Sequence, residues 1–258
     1  MKNYLVLLFL LTQPLLFAQN LTGIVIYDQF LLSDTISSLL LKQSATLLFD
    51  ISKSNSIYFT RRKQKNEIEN NPVTRREDGS ILFVRQKNLD EIGEIYYKSQ
   101  KNKELIYRDF IGFKPFIVTD MYPQIIWEIS ASKKNILGFE CQKAEGDFRG
   151  RHYTAWFTNK IPISDGPWKL CGLPGLILEA SDTKKQVRFE LQSIEFPKNF
   201  EERIVVPIDG DAINFNDYFK SFNENVDKTI KKFIANTEDM KGVSTNGKPR
   251  KANFIERD

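Results

Sequence analysis

The sequence predicts a mainly β protein in which an antiparallel meander sheet curls around a C-terminal amphipathic helix. Three observations support this prediction. Short segments rich in β-branched and aromatic residues alternate with hairpin-type turns. The segment Leu176-Ile177-Leu178 is apolar without alternation, which is typical of a strand covered on both faces. Residues 214–236 carry apolar side chains at helical spacing, so this helix is the expected cover.

Residues 1–18 are typical of a secretory signal peptide. Lys2 precedes an almost wholly apolar run from Tyr4 to Leu16, and Ala18 before Gln19 offers a small residue at a cleavage point. The run contains Pro14 and is shorter than the roughly 20 residues that a bilayer-spanning helix needs. We therefore expect a protein that is secreted across the inner membrane to the periplasm, the outer envelope or the medium, without a transmembrane anchor.

The remaining chain is expected to form one β domain over residues 19–236, followed by a basic, disordered tail at 237–258. The sequence has 37 Lys and Arg against 33 Asp and Glu, for a formal charge of +4. Loss of Lys2 with the signal peptide lowers this to +3. A charge so close to neutral gives no support for nucleic-acid binding.

The strand pattern runs through the whole domain. A charged stretch at residues 61–80, with Asn70-Asn71-Pro72 and Asp78-Gly79, predicts one long surface loop. Short connections elsewhere favour antiparallel neighbours, with turns expected at Lys133-Lys134-Asn135 and Gly146-Asp147. The predicted strands are Thr22–Leu32, Ala45–Ile51, Ser56–Thr60, Ile81–Arg85, Ile92–Ser99, Lys103–Phe110, Phe116–Thr119, Ile125–Ser130, Gly138–Lys143, Arg151–Thr158, Leu176–Ser181 and Gln186–Phe196.

The predicted C-terminal helix has a capping residue and an apolar stripe. Asn214 is suited to cap its N-terminus, and Asp217 lies favourably in its first turn. A stripe of this kind is more often a core-facing surface than a partner or membrane surface. The residues of the stripe are Phe215, Tyr218, Phe219, Phe222, Val226, Ile230, Phe233 and Ile234.

Two cysteines, Cys141 and Cys171, are expected in an oxidising compartment, which favours a disulfide between them. Two alternatives stay open. The thiols can be free and buried, or both can join His152, the only histidine, in a soft-metal site. The sequence has no Cys-x-x-Cys or His-x-x-x-His spacing to organise such a site, so no metal or cofactor is predicted.

The strand at residues 151–158 carries the candidate ligand-binding residues. Alternation places Arg151 on one face, and His152 and Trp156 on the other, where an aromatic platform is mixed with hydrogen-bonding groups. Arg149 and Arg151 are suited to bind an anionic ligand. The alternatives are that Trp156 belongs to the core, His152 is a satisfied or exposed polar residue, and the arginines pair with Asp147 or Glu145 around the turn.

The stretch from residue 166 to residue 182 reads as a rigid loop that leads into a buried strand. Its tetrapeptide Leu173-Pro174-Gly175-Leu176 suits a type II turn, in which Gly175 takes the positive φ. None of these residues is a nucleophile, acid or base, so their expected role is structural. The residues concerned are Gly166, Pro167, Trp168, Gly172, Leu173, Pro174, Gly175, Leu176 and Ile177.

The segments Gly138–Ala144, Phe148–Thr158, Ile161–Ile163, Gly166–Lys169 and Gly172–Leu178 together resemble the motif series of the GLPGLI family. The resemblance is specific over residues 135–182. It implies a secreted protein of a Gram-negative envelope, in a family whose biochemical role is unassigned. The arrangement is also similar, more faintly, to the open β half-barrels of periplasmic lipoprotein carriers, which hold acyl chains between a concave sheet and a helical lid. This similarity implies an open half-barrel and transfers no functional residues.

No catalytic motif appears in the sequence. There is no Gly-x-Ser-x-Gly elbow, phosphate-binding glycine loop or zinc motif. We therefore expect a non-catalytic envelope protein that binds an apolar or amphipathic ligand or an envelope protein partner. The alternative is a secreted enzyme or metal-binding protein that uses His152, Cys141 and Cys171.

Overall fold

The computed structural model describes residues 21–32, 40–60, 73–75, 81–83, 90 and 92–238. The predicted signal peptide lies outside these residues, as does nearly all of the predicted tail. The described part contains fourteen strands and one helix. Their bounds are β1 Thr22–Leu32, β2 Leu40–Asp50, β3 Asn55–Phe59, β4 Val73–Arg75, β5 Ile81–Phe83, β6 Ile95–Ser99, β7 Glu104–Ile111, β8 Lys114–Met121, β9 Glu128–Ile136, β10 Phe139–Phe148, β11 Arg151–Thr158, β12 Leu176–Asp182, β13 Val187–Glu195, β14 Asp211–Asn214 and α1 Phe215–Glu238.

Twelve of these strands form a single open sheet in the order β14-β8-β7-β6-β3-β2-β1-β13-β12-β11-β10-β9. Two antiparallel meanders, β1 to β8 and β9 to β13, are joined where β1 pairs with β13. Strand β14 adds to β8 in parallel and is the exception to the predicted antiparallel pairing. Strands β4 and β5 pair separately. The predicted fold class, an open β-sheet with a C-terminal helix, is confirmed.

Asp165 shows how strongly the sheet curls. Its carbonyl accepts the amide of Ile177 at the start of β12 at 2.9 Å, and its carboxylate forms a salt bridge with Lys98 of β6. These strands stand five positions apart in the sheet, which corresponds to about 24 Å if the sheet were flat. The sheet therefore wraps around the loop that contains Asp165, as in a half-barrel.

The cover of strand β12 differs from the prediction. Leu176, Ile177 and Leu178 are completely buried, as predicted. Helix α1, however, packs against β7, β8 and β14. Residues 159–175 supply the cover on the concave side. Their close approach is clear at Gly166, where an added Cβ would lie only 2.7 Å from the Cβ of Ile177. The loop that precedes the strand folds back over it and takes the place expected for the helix.

Several turns also differ from the predictions. Residues 133–135 lie inside β9, and the β9–β10 turn is formed by Leu137 and Gly138, with φ of 47° and 90°. The β10–β11 turn is formed by Arg149 and Gly150, with φ of 49° and 67°. Positive φ at both central residues is the type I′ geometry that suits the twist of a hairpin.

The predicted type II turn at Leu173–Leu176 is wrong. Positive φ occurs at Gly172, with φ of 99°, and not at Gly175. A glycine is needed at position 175 for another reason, since a Cβ there would lie 2.2 Å from the carbonyl oxygen of Thr158. The predicted loop at residues 61–80 contains strand β4, and the rest of that loop lies outside the described residues.

Helix α1 begins as predicted and ends two residues later than predicted. The Asn214 side chain accepts the amide of Asp217 at 3.0 Å and donates to its carboxylate at 2.6 Å. The first of these bonds satisfies a helix N-terminal amide that has no intrahelical partner. Within the described part of the chain, no helix is long and apolar enough to cross a bilayer.

Candidate functional site

The most conspicuous site is the loop at residues 159–175, which we call the plug loop. Its apolar side chains are almost completely buried, although they belong to no strand or helix; they are Ile161, Ile163, Trp168, Leu170 and Leu173. The loop is also tied to strand β12 by its backbone, because the Leu176 amide donates to the Ile161 carbonyl at 3.2 Å. The plug loop therefore forms part of the core on the concave side of the sheet.

Lys98 of β6 holds the centre of the plug loop. Its ammonium group contacts the Asp165 carboxylate and donates to the Gly166 carbonyl at 2.8 Å. Both side chains are nearly inaccessible, with exposures of 2% and 6%. The Asp165 carboxylate also accepts the Gly166 amide at 2.6 Å. A buried charge is tolerated only when it is paired and hydrogen-bonded, and both conditions are met here.

Lys169, four residues after Asp165, provides a second anchor of the plug loop. Its ammonium group lies 3.2 Å from the carboxylate of Asp120 on β8, and both side chains are 1% exposed. The same ammonium lies 3.8 Å from the ring centroid of Tyr107 and 5.3 Å from that of Phe215. Cation–π contacts of this kind strengthen where water is excluded. Lys169, in the segment Gly166–Lys169, therefore serves as a buried anchor.

Arg149, a predicted anion-binding residue, completes this second anchor. Its guanidinium donates to both oxygens of Asp120, at 2.7 and 2.8 Å, and stacks 3.8 Å above the ring of Phe215. The predicted alternative, a pairing of Arg149 with Asp147 or Glu145, is wrong. One carboxylate thus connects strand β8, the β10–β11 turn and the plug loop, while the first residue of α1 covers the cluster.

Arg151, the second predicted anion-binding residue, is buried and engaged within the protein. It donates to the Asp182 carboxylate at 2.6 Å and to the Gln186 side chain at 3.1 Å. Asp182 in turn accepts the amides of Gln186 and Val187 at 2.6 and 2.9 Å. Arg151 therefore fixes the β12–β13 turn, and its predicted pairing with Asp147 or Glu145 is also wrong.

His152 and Trp156 lie on the opposite face of β11, as alternation predicts. The His152 Nδ1 atom lies 2.8 Å from the Asp147 carboxylate, and these side chains are 50% and 84% exposed. Trp156 is half-buried, and the ammonium of Lys134 lies 4.6 Å above its ring. Lys134 is also paired with Glu179. This face, which we call the outer face of β10–β12, is the accessible one of the two predicted ligand surfaces.

The two cysteines are free and buried, so the predicted disulfide is not formed in this structure, which describes both residues. They have different surroundings. The Cys141 thiol lies 3.4 Å from the Phe139 carbonyl, whereas the Cys171 thiol lies 3.8 Å from the Pro123 carbonyl. Burial raises the pKa of each thiol to about 11. Both sulfurs are therefore protonated and poorly reactive at neutral pH.

The structure also separates the three residues of the predicted metal or enzyme alternative. His152 is exposed on β11, Cys141 is buried on β10, and Cys171 is buried in the plug loop. Among the described residues, no group of three or more His, Cys, Asp or Glu side chains is arranged to hold a metal ion.

The sequence interpretation missed the buried ionic residues. The sequence patterns do not single out Lys98, Asp120, Asp165 or Lys169, although Lys169 lies within the segment Gly166–Lys169. Arg108 was also missed. It is fully buried, and all five of its N–H groups are used by Asp90, Asp209 and the Gly93 carbonyl. Lone charged residues inside apolar strands, such as Lys98 after Tyr96-Tyr97, are the signal that could have revealed them.

The comparisons with known proteins establish a fold and not an activity. A model for a family described as protein of unknown function (Porph_ging) matches residues 148–179, which include the plug loop and the start of β12. No curated protein matches this sequence.

Among solved structures, two crystal forms of PNGF-II match with 15% identity and a TM-score of 0.52 each. These alignments cover 81% and 80% of this chain but only 34% and 33% of PNGF-II. This chain thus corresponds to about a third of PNGF-II, and the likeness concerns the β-sheet fold alone. An uncharacterized conserved protein from Thermus thermophilus aligns over 75% of this chain and 90% of its own, with 8% identity and a TM-score of 0.38.

Proposed function

We propose that this protein is a secreted, non-catalytic binding protein of the cell envelope that engages an envelope protein partner through the outer face of β10–β12. The observation that carries the proposal is the position of the plug loop. Asp165 contacts both β6 and β12, so the chain's own residues occupy the concave side where a carrier would enclose an apolar ligand. Binding is then expected on the outside of the sheet.

The composition of the outer face suits a protein partner. Trp156 is half-buried and surrounded by charged side chains that already pair with one another, such as Lys143 with Glu145 at 3.0 Å. Thr154 also donates to Glu145 at 3.1 Å. Aromatic residues inside a polar rim are the usual composition of protein–protein contact surfaces. The predicted candidates His152 and Trp156 both lie on this face, and we assign partner binding to them.

The alternative of an enzyme or metal protein receives less support. Its three key residues lie apart, and both thiols are held protonated by burial. Arg149 and Arg151, which could have bound an anionic substrate, have buried carboxylate partners within the protein. The envelope location rests on the predicted signal peptide and on the resemblance to the GLPGLI family.

Site-specific photo-crosslinking in the native host tests the proposal. A photoreactive amino acid replaces His152 in one variant and Lys53 in a control variant, because Lys53 is exposed in the β2–β3 turn. We expect one discrete crosslinked envelope protein from position 152 and none from position 53. The substitution Trp156→Ala, combined with the crosslinker at position 152, should reduce the yield at least several-fold.

Two results would overturn the proposal. One is an identical set of crosslinked products from both positions, which would indicate non-specific contact. The other is a stoichiometric lipid or other small molecule in native mass spectrometry of the protein purified from its host. That result would favour the carrier interpretation.

A further inference from the structure

We infer that the C-terminal half of α1, together with the β7–β8 turn, docks on an anionic lipid surface. This inference does not depend on the partner proposed for the outer face of β10–β12, since it concerns a different part of the molecule. Its basis is the geometry of the helix relative to the sheet and the distribution of charge along the chain.

The first half of α1 accounts for the described packing of the helix. Phe215 covers the Lys169 anchor, and Tyr218 meets the ring of Tyr107 edge-on at 6.1 Å. Farther along, Asn225 lies next to Gly112, where the β7–β8 hairpin turns. Thirteen residues of helix follow Asn225, which corresponds to about 20 Å. The helix therefore reaches the end of this hairpin with just over half of its length still to come.

The exposed groups at this end of the molecule include three lysines and an aromatic ring, beside the carboxylates of Glu224 and Asp227. Lys228, Lys231 and Lys232 are exposed on the helix. Phe113, at the tip of the β7–β8 turn, is 75% exposed. In the sequence, the apolar stripe of the helix continues from Val226 through Ile230 and Phe233. Lysines on the polar face and apolar residues on the other face are the composition of helices that lie at membrane interfaces.

The charge distribution favours an anionic surface. Residues 19–225 contain 28 Lys and Arg and 28 Asp and Glu, so this part of the chain is neutral. Residues 226–258 contain eight basic and five acidic residues. All of the excess positive charge that follows the predicted signal peptide therefore lies in the last 33 residues. Each basic side chain near an anionic lipid surface contributes to binding, and salt weakens the attraction.

Vesicle flotation tests this inference with the full chain as processed and secreted by its host. The vesicles contain phosphatidylcholine alone, or phosphatidylcholine with about a third phosphatidylglycerol. We expect binding only to the anionic vesicles, with most of it lost when NaCl is raised from 50 to 500 mM. The triple variant K228Q/K231Q/K232Q should bind roughly 100-fold more weakly, and Phe113→Ser several-fold more weakly.

A matched variant separates local docking from net charge. K53Q/K101Q/K103Q removes three exposed lysines from the β2–β3 and β6–β7 turns, which lie at the opposite end of β7 from Gly112. It should bind anionic vesicles nearly as well as the unmodified protein. Equal losses in the two triple variants would overturn the inference. So would equal binding to neutral vesicles, no binding to either kind, or binding to an acidic protein without binding to lipid.

Discussion

Lys98 and Asp165 form a buried salt bridge between strand β6 and the plug loop. The two residues are far apart both in sequence and in the strand order, so their contact exists only when the curled sheet and the loop are assembled together. The plug loop also covers β12 through the backbone bond between Ile177 and Asp165. The curvature of the sheet and the position of the plug loop therefore depend on each other. Removing the salt bridge tests both.

The substitution Lys98→Met should destabilise the protein by about 3 to 5 kcal/mol, because it leaves the Asp165 carboxylate buried without its cation. The measurement is the free energy of unfolding in urea. In the double variant K98M/D165N the asparagine can still accept the Gly166 amide, and no charge is left unpaired. Most of the lost stability should then return.

A control for this comparison is the exposed pair of Lys133 and Glu140. Lys133→Met should leave the free energy of unfolding nearly unchanged, since solvent screens such pairs. If Lys98→Met were equally mild, or if the double variant were no more stable than the single one, the anchoring role of the salt bridge would be wrong.

Gly175→Ala should destabilise the protein by about 3 kcal/mol, since overpacking against backbone atoms cannot be relieved by a rotamer change. The added Cβ would lie 2.2 Å from the Thr158 carbonyl oxygen. Gly138→Ala is the matched control, because its φ is 90° and no atom lies within 4 Å of the added Cβ. It should cost only the backbone strain of about 1 to 2 kcal/mol. Urea titration of both variants gives the comparison, and a reversed order would contradict the close-approach explanation.

The sequence was informative where local patterns determine structure. Alternation located the faces of β11, and the unbroken apolar run at Leu176–Leu178 correctly predicted burial on both sides. Asn214 correctly marked the helix N-terminus. These features depend on neighbours within a few residues, and periodicity and capping chemistry are sensitive to such neighbours.

The features that the sequence did not predict depend on contacts between residues that are distant in sequence. The cover of β12 could have come from any apolar segment, and the amphipathic helix was the most visible one. The Lys98–Asp165 and Lys169–Asp120 pairs join the plug loop to strands β6 and β8, and no local pattern identifies such pairs. Strand β14 was missed because its four residues, Asp-Ala-Ile-Asn, have weak strand propensity and pair only through β8.

Cys141 and Cys171 should both remain unreactive in the native protein and react after denaturation. Burial raises the pKa of each thiol to about 11, so at pH 8 only about one thiol in a thousand is ionised. Counting alkylated thiols by intact-mass spectrometry, with and without 6 M guanidinium chloride, checks this. The expected counts are near zero in the native state and two in the denatured state.

A denatured count of zero, which becomes two only after reduction, would instead show the disulfide that the sequence predicted. Because the substitution Cys171→Ser removes one thiol and precludes that bond, its denatured count should be one in either case, and its stability is the discriminating measurement. The same variant would lose a crosslink, and a large part of its stability, if the disulfide existed.

The acid sensitivity of the protein should depend on Asp90. Burial alone would raise the pKa of this carboxyl, but hydrogen bonds from Arg108 and from the Gly93 amide outweigh burial, so the pKa lies below its ordinary value. Below about pH 5 the unfolded chain therefore binds more protons than the folded protein at this site. The stability that Asp90 contributes is present above the unfolded pKa and is lost as the pH falls through the folded pKa.

Asp90→Asn should remove this contribution. At pH 7 the variant should be less stable by roughly 1 kcal/mol, an amount kept small because the Asp90 side chain is 42% exposed and partly screened. The difference from the unmodified protein should shrink as the pH falls toward 2. The control is Asp211→Asn, since Asp211 pairs with Lys114 where both side chains are about 60% exposed. At pH 7 its stability should be close to that of the unmodified protein, since solvent screens such an exposed pair. Urea unfolding in buffers from pH 2 to 7 gives the measurements for Asp90→Asn. A constant offset for Asp90→Asn over that range would show that Arg108 contributes packing and hydrogen bonds at this site without coupling to the charge of Asp90.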